Sequence, residues 1–278
     1  MAREMFVTDL DGTILQRDGT FAAEDVQALE RLRERGVVRV LATGRSLYSM
    51  SKGVRARMPF DYVVFSTGAG VMSVEDRVVM TKWGHRAGDV DRAAEVLELM
   101  GLEYVVYEPV PDNHKFHYRK NGNVNPDFDW LCERYAEFCQ PLVSGLDHHL
   151  AAQLLAVVPR HGGVTGYQKV CDALGDLSVI RTTSPTDGQS VWIEIFPSGV
   201  SKSGALKWLG EHLGVSPDAV GCVGNDYNDL DMLAAAGEAW VVAGAPDELR
   251  SRFPAVRAFD GGGVADAVDR WLKWRGLD

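Results

Sequence analysis

The stretch MFVTDLDGTIL, residues 5–15, passes from an apolar run into a turn that carries two acids. Met5, Phe6 and Val7 form an unbroken apolar run, which reads as a short buried strand, and Asp11-Gly12 is a turn that ends it. An Asx turn closing a strand needs only one acid. Asp9 and Asp11, one residue apart, repel each other unless a proton or a cation separates them. In open α/β sheets ligands gather at the carboxyl ends of the strands. The pair therefore points to chemistry at that end, and the rest of the chain has to supply the partners.

Downstream, TFAAEDVQALERLRERG places Val26, Leu29 and Leu32 at helical spacing, with acids early, arginines late and Gly36 at the position where helices end. VVRVLATGRS reads as a strand running into a Thr-Gly turn, and SLYSMSKGVRARM as a helix with Leu47, Met50 and Val54 on one face. YVVFSTGAGV is a third apolar strand. Strands alternating with helices through short connections predict parallel strands and right-handed crossovers.

From about Thr81 to Ser190 the apolar runs are shorter and more aromatic, and the alternation lapses. HRAGDVDRAAEVLELMG reads as a helix, LEYVVYE and KFHYR as strands, DFDWLCERYAEF as a helix, LLAVV as a strand, VTGYQKVCDAL as a helix and LSVIRTT as a strand. This mixture predicts an inserted α+β domain. VWIEIF and SKSGALKWLGEHLG then resume the strand-helix rhythm. It continues through AVGCVGND, YNDLDMLAAAG, AWVVAGAP and a helix around Val264–Trp271. The expected organisation is a doubly wound, Rossmann-like parallel-sheet core from 1–82 and 192–278, with an α+β domain at 83–191.

Composition narrows the function. The chain has 278 residues, 46% of them hydrophobic, and no apolar stretch nears the ~20 residues of a membrane span. MAREMFVTDL lacks the basic-then-apolar layout of a secretory signal. A formal net charge of −10 argues against nucleic acid or an anionic membrane as partner. Cys132, Cys139, Cys171 and Cys222 have no zinc-ligand spacing and read as free, mostly buried thiols of a cytoplasmic protein.

At the ends of the parallel strands stand Asp9 and Asp11, Thr43 with Gly44, and Asn225, Asp226, Asn228 and Asp229, with Lys202 at the first turn of a later helix. Hard oxygens from carboxylates and amides suit Mg²⁺. A hydroxyl, backbone N–H groups opened by glycine and one lysine suit a phosphate dianion. One carboxylate can attack phosphorus while its neighbour handles the proton. A bound cation makes the Asp9–Asp11 pair tolerable.

DLDGTIL, LATGRS, SKSGAL and GNDYNDLDML resemble, in order, the four motifs of the haloacid dehalogenase-like superfamily. Thr43 follows Asp11 by only 32 positions, leaving no room for a cap between the first two motifs. The insertion after the second resembles the Cof-type branch, mostly sugar and metabolite phosphatases. The resemblance implies Asp9 as nucleophile and metal ligand, and Asp11 as general acid/base with its carbonyl on the metal. It implies Thr43, Gly44, Lys202 and Asn228 on the phosphoryl group, and Asn225 and Asp229 in the metal shell. Asn225 stands where the family usually has Asp, with Asp226 as an alternative ligand, and Thr67 stands where the family often has Asn. The implied activity is a Mg²⁺-dependent phosphomonoesterase acting on a small phosphate ester, through an aspartyl-phosphate, as a monomer or small homo-oligomer with a substrate-selecting cap. A phosphomutase and a catalytically weak sugar-phosphate-binding module are the alternatives. His148–His149 as a metal pair is disfavoured, since adjacent residues on a regular element point apart. NHKFHYRKNGN, residues 113–123, is basic and leaves two readings, a face toward substrate and, favoured over it, a solvated hairpin. Glu194 reads as a hinge-strand residue, and Trp271 and Trp274 as packing.

Overall fold

The computed structural model describes residues 3–143, 150–159 and 162–277. Two compact units appear, one from 1–81 with 202–278 and one from 82–201.

The first unit opens with β1 (Met5–Asp9), every residue of which is buried. Next come α1 (Ala23–Glu34), β2 (Val38–Ala42), α2 (Leu47–Gly53), β3 (Tyr62–Phe65), β4 (Gly70–Ser73) and β5 (Val78–Lys82). α1 stops where Gly36 takes a φ of 74°, and it buries Leu29 and Leu32 as its spacing requires. It also buries Asp25, while Val26 remains partly exposed. α2 is shorter than its sequence suggests: Val54 is extended at φ −96° and ψ 118°, so it lies beyond the helix face shared by Leu47 and Met50.

Residues 82–201 contain α3 (Ala87–Leu99), β6 (Glu103–Tyr107), β7 (Phe116–Arg119), α4 (Pro126–Arg134), β8 (Cys139–Pro141), β9 (Leu154–Val158), α5 (Gly163–Ala173), β10 (Ser178–Thr183) and β11 (Val191–Phe196). Their sheet runs β10-β11-β9-β6-β7-β8, antiparallel except for β7 beside β8. Alternation along β6 and β9 serves both faces. Tyr104, Val106, Leu154, Ala156 and Val158 join Val90, Ala93 and Leu97 of α3 and Val170 of α5. Val105, Leu155 and Val157 join Phe128 and Leu131 of α4. Two sequence expectations fail here. VWIEIF does not re-enter the core; as β11 it lies between β10 and β9, its Ile193 and Ile195 filling this unit's own core. The solvated-hairpin reading of residues 113–123 fails at β7, an interior strand whose Phe116 is 1% exposed, and holds at the exposed stretch 119–123. Glu194 lies buried in β11, within 3.5 Å of the Gln153 amide. The His148–His149 pair lies outside the described residues.

The chain returns to the first unit with α6 (Lys202–Leu213), β12 (Val220–Gly224), α7 (Leu230–Ala235), β13 (Glu238–Val242), α8 (Asp247–Arg252), β14 (Ala255–Val256) and α9 (Gly263–Arg275). The sheet order is β14-β13-β12-β1-β2-β3-β4-β5. From β14 to β3 the pairing is parallel, and β3 with β4 is an antiparallel pair. From β1 the chain winds through β2 to β3; from β12, on the other side of β1, it winds through β13 to β14. This doubly wound α/β sheet changes direction between β1 and β12, the switch point at which open α/β sheets bind their ligands. Trp271 of α9 is fully buried, edge-on to Phe6 with centroids 5.6 Å apart. Gly221 admits that indole, since a Cβ there would stand 2.4 Å from Trp271 Cδ1. Trp274, by contrast, is 46% exposed, and only Cys222 of the four free cysteines is fully buried. Among the described residues no helix is long and apolar enough to cross a membrane.

Candidate active site

Asp9 ends β1 and Asn225–Asp229 follow β12, so parallel pairing of these two strands brings the first and last motifs to one edge. Thr8 fixes the strand end by donating from Oγ1 to the Asp9 carbonyl at 2.9 Å. Lys202, the first residue of α6, is fully buried, and its Nζ lies 2.7 Å from Asp9 Oδ1 and 2.6 Å from Asp229 Oδ1. One cation thus joins two buried carboxylates. Asp231 holds the start of α6 in place, its Oδ2 accepting from the Ser203 N–H at 3.0 Å.

Both oxygens of Asp229 are engaged: Oδ1 meets Lys202 and Oδ2 accepts from the backbone N–H groups of Asn225 at 2.7 Å and Asp226 at 3.1 Å. Gly224 makes room for it, as a Cβ there would stand 2.5 Å from Asp229 Oδ2. Asp226 completes a reciprocal capping box with Asp229, its side chain accepting from the Asp229 N–H. The Asn225 amide lies across Gly12, whose φ is +74° and whose added Cβ would meet Asn225 Nδ2 at 2.5 Å.

Asp9 Oδ2 is buried and has no hydrogen-bond partner among the described residues. Burial and the neighbouring Asp229 push the Asp9 carboxyl up to about 7, against the opposing pull of Lys202. For Lys202 burial acts to lower the pKa, but the charges of Asp229 and Asp9 outweigh it and hold the ammonium protonated. An orphaned carboxylate oxygen in a low-dielectric pocket is the signature of a missing donor or cation. The Asp9 carboxylate and the Asn225 amide offer hard oxygens of the kind Mg²⁺ takes. Among the described residues no group of three or more His, Cys, Asp and Glu side chains is placed to hold a metal ion.

On the β2 side, the fully buried Thr43 accepts from the Arg45 N–H at 3.1 Å, and its carbonyl accepts from the Thr67 N–H at 3.0 Å. A Cβ on Gly44 would stand 3.4 Å from Thr67 Oγ1 and 3.6 Å from Asn228 Nδ2, so the glycine borders a small polar recess. Ser66 and Thr67 both take positive φ, 49° and 51°, a conformation that costs energy outside glycine. Asp11, 52% exposed, is held by Arg45: Nε donates to Oδ2 at 2.8 Å and Nη2 to Oδ1 at 2.6 Å. Of the residues singled out in the sequence, Asp9, Lys202, Asp229 and Asn225 form one connected group. Gly44 and Asn228 meet beside Thr67, whose N–H donates to the Thr43 carbonyl. Sequence reasoning missed Arg45 and Asp231; Arg45 announces itself only as a charge next to a Thr-Gly turn, and Asp231 not at all.

The haloacid dehalogenase-like hydrolase family model matches residues 6–268. An HMP-PP phosphatase of Escherichia coli O6:H1 is 27% identical over 258 residues, covering 88% of this chain and 86% of that protein. A HAD-superfamily phosphatase structure from Bacteroides thetaiotaomicron aligns with a TM-score of 0.75 at 20% identity, over 100% of this chain and 96% of the other. A HAD subclass IIB sugar phosphatase aligns with a TM-score of 0.74 at 17% identity, over 99% and 100%. At those identities the structural likeness speaks for the fold alone.

Proposed function

The chain belongs to the haloacid dehalogenase-like hydrolases, and from that premise we propose that it is a Mg²⁺-dependent phosphomonoesterase of the cytoplasm acting on a small phosphorylated metabolite. The observation that carries this reading is Asp9, a buried carboxylate at a strand end with one oxygen on Lys202 and the other without a partner among the described residues.

Asp9 attacks phosphorus and forms the P–O bond as the ester oxygen leaves; Asp11 gives that oxygen a proton. Asp11 then takes a proton from the water that cleaves the aspartyl-phosphate, releasing inorganic phosphate and restoring Asp9. Lys202 balances the charge of Asp9 and of the transferring group. The Thr43 hydroxyl proton, the N–H groups near Gly44 and the Asn228 amide donate to phosphoryl oxygens. Asp9, the Asp11 carbonyl and Asn225 would hold Mg²⁺, with Asp229 acting through Lys202 and the turn it braces. Asp226, engaged in its capping box, is the lesser candidate. Bound there, Mg²⁺ supplies positive charge against the transferring phosphoryl group.

We assign the choice of leaving group to residues 82–201. Sugar phosphates are the first class to test, and the relatives named HMP-PP phosphatase add HMP-PP. The test is release of inorganic phosphate from such a panel with Mg²⁺. Turnover of at least one ester, abolished by chelator, is expected. Phosphate transferred to a second sugar, without free phosphate, would make the protein a mutase; ester binding with no turnover would make it a binding module.

A further inference from the structure

Arg45 is the one charged side chain at the site that the reading above leaves without work, and its surroundings are specific. Its backbone is tied on both sides, the N–H to Thr43 Oγ1 at 3.1 Å and the carbonyl to the Ser66 N–H at 2.9 Å. Its guanidinium faces the Asp11 carboxylate as a two-pronged fork, at 2.8 and 2.6 Å. Its remaining nitrogen rests on Gly53, the last residue of α2, where a Cβ would stand 1.8 Å from Nη1. The side chain is thus braced toward Asp11 by a bare stretch of backbone that any other residue would fill.

Two consequences follow from this geometry. Both oxygens of Asp11 accept charged N–H groups, so the fork fixes the orientation of the carboxylate, and turning it toward an ester oxygen or a water means opening the fork. The pair is also partly exposed, 26% for Arg45 and 52% for Asp11, so it is cheap to open. A phosphate dianion presents the same planar match to a guanidinium with more charge. We propose that Arg45 is an anion-exchange latch: it parks Asp11 in the free protein and leaves it for an anionic oxygen of the arriving substrate, which frees Asp11 as the substrate binds. This makes Arg45 a substrate-binding and positioning residue, and it rests on the phosphomonoesterase reading for its use, though not for its binding behaviour.

The test titrates inorganic phosphate into the full-length protein without metal, by calorimetry, and measures steady-state hydrolysis of 4-nitrophenyl phosphate with Mg²⁺. Arg45→Ala is expected to weaken phosphate binding at least tenfold and raise KM by a similar factor, with kcat within threefold of the native value because Asp11 is no longer parked. Arg45→Lys, which keeps the charge and loses the fork, should recover part of the affinity. Gly53→Ala pushes the guanidinium off its berth and so should tighten phosphate binding several-fold, opposite in sign to Arg45→Ala. That opposition is not expected of a merely structural arginine. The latch is overturned if Arg45→Ala leaves phosphate affinity and KM unchanged, or if Gly53→Ala and Arg45→Ala weaken binding alike. Should Arg45→Ala not fold, Arg45→Lys and Gly53→Ala carry the test. A native protein that binds phosphate through Arg45 yet hydrolyses no ester overturns the phosphatase reading alone; one that hydrolyses esters with Arg45 irrelevant overturns the latch alone.

Discussion

Lys202 Nζ lies 2.6 Å from Asp229 Oδ1, and neither side chain reaches solvent. With Asp9 on the same ammonium, one positive charge holds two buried negative ones. Lys202→Met keeps the bulk but strands both carboxylates in a low-dielectric pocket. It should cost about 3–5 kcal/mol of unfolding free energy, the usual penalty for removing one partner of a buried ion pair. Denaturant titration checks this; a loss below about 1 kcal/mol would mean that the carboxylates find water or another donor.

Asp9→Asn tests the nucleophile. The change is isosteric and leaves the Lys202–Asp229 pair in place. Since burial already disfavours the Asp9 charge, the variant should melt at or above the native temperature while phosphate release falls by roughly a hundredfold or more. Retention of activity within tenfold of native would move the attacking group elsewhere.

Asn225→Asp should tighten Mg²⁺ binding roughly tenfold, because an amide oxygen gives way to a charged one at the same place beside Gly12. Metal titration by calorimetry reads this directly. Unchanged or weaker binding in the variant would remove Asn225 from the donor set.

Asp25 offers a pH test remote from the site. Its side chain is buried between α1 and α9, with Oδ1 accepting from the Ala265 N–H at 2.8 Å and Oδ2 unpartnered among the described residues. Burial lifts its pKa from 3.8 to about 6 in the folded protein. Between those values the folded state keeps a proton that the unfolded chain has released, so stability falls as pH rises from about 4 to about 6 and stays lowered above. Asp25→Asn should therefore stabilise at neutral pH by on the order of 1–3 kcal/mol, with the gain vanishing near pH 4. Melts at the two pH values decide it; an equal gain at both would assign the effect to packing.

Gly221→Ala should destabilise by about 1–3 kcal/mol, since its methyl meets the buried Trp271 indole and Phe6 blocks retreat. Thermal denaturation checks this, and a neutral result would show that the indole can turn.

The parallel half of the fold was legible because its strands are buried on both faces and read as unbroken apolar runs, as in Met5–Val7 and Val220–Val223. The site was legible wherever a polar residue interrupts such a run at its end, as Asp9 and Asn225 do. VWIEIF misled because an interior antiparallel strand buried on both faces has the same appearance as a parallel one, and only its pairing with Leu154–Val158 tells them apart. Asp25 was hidden on a helix face that hydrophobic spacing assigned to Val26, and β8 and β14 are too short to carry a period. Arg45 could not be separated from other surface arginines, since what distinguishes it is a bare glycine eight positions on.

The interruption of the first unit by residues 82–201 sets an order of assembly. As the chain leaves the ribosome, β1 to β5 appear without the neighbour that β1 needs on its other edge, and Asp9 emerges with no counter-charge. Residues 82–201 are contiguous and hold all strands of their sheet, so they can close on themselves while synthesis continues. Lys202 then arrives 193 positions after Asp9, and Asp229 another 27 later. The site is among the later parts of the molecule to exist: a nascent chain stopped short of β12 holds Asp9 and Lys202 but lacks Asn225 and Asp229, and one stopped short of α6 lacks the lysine as well.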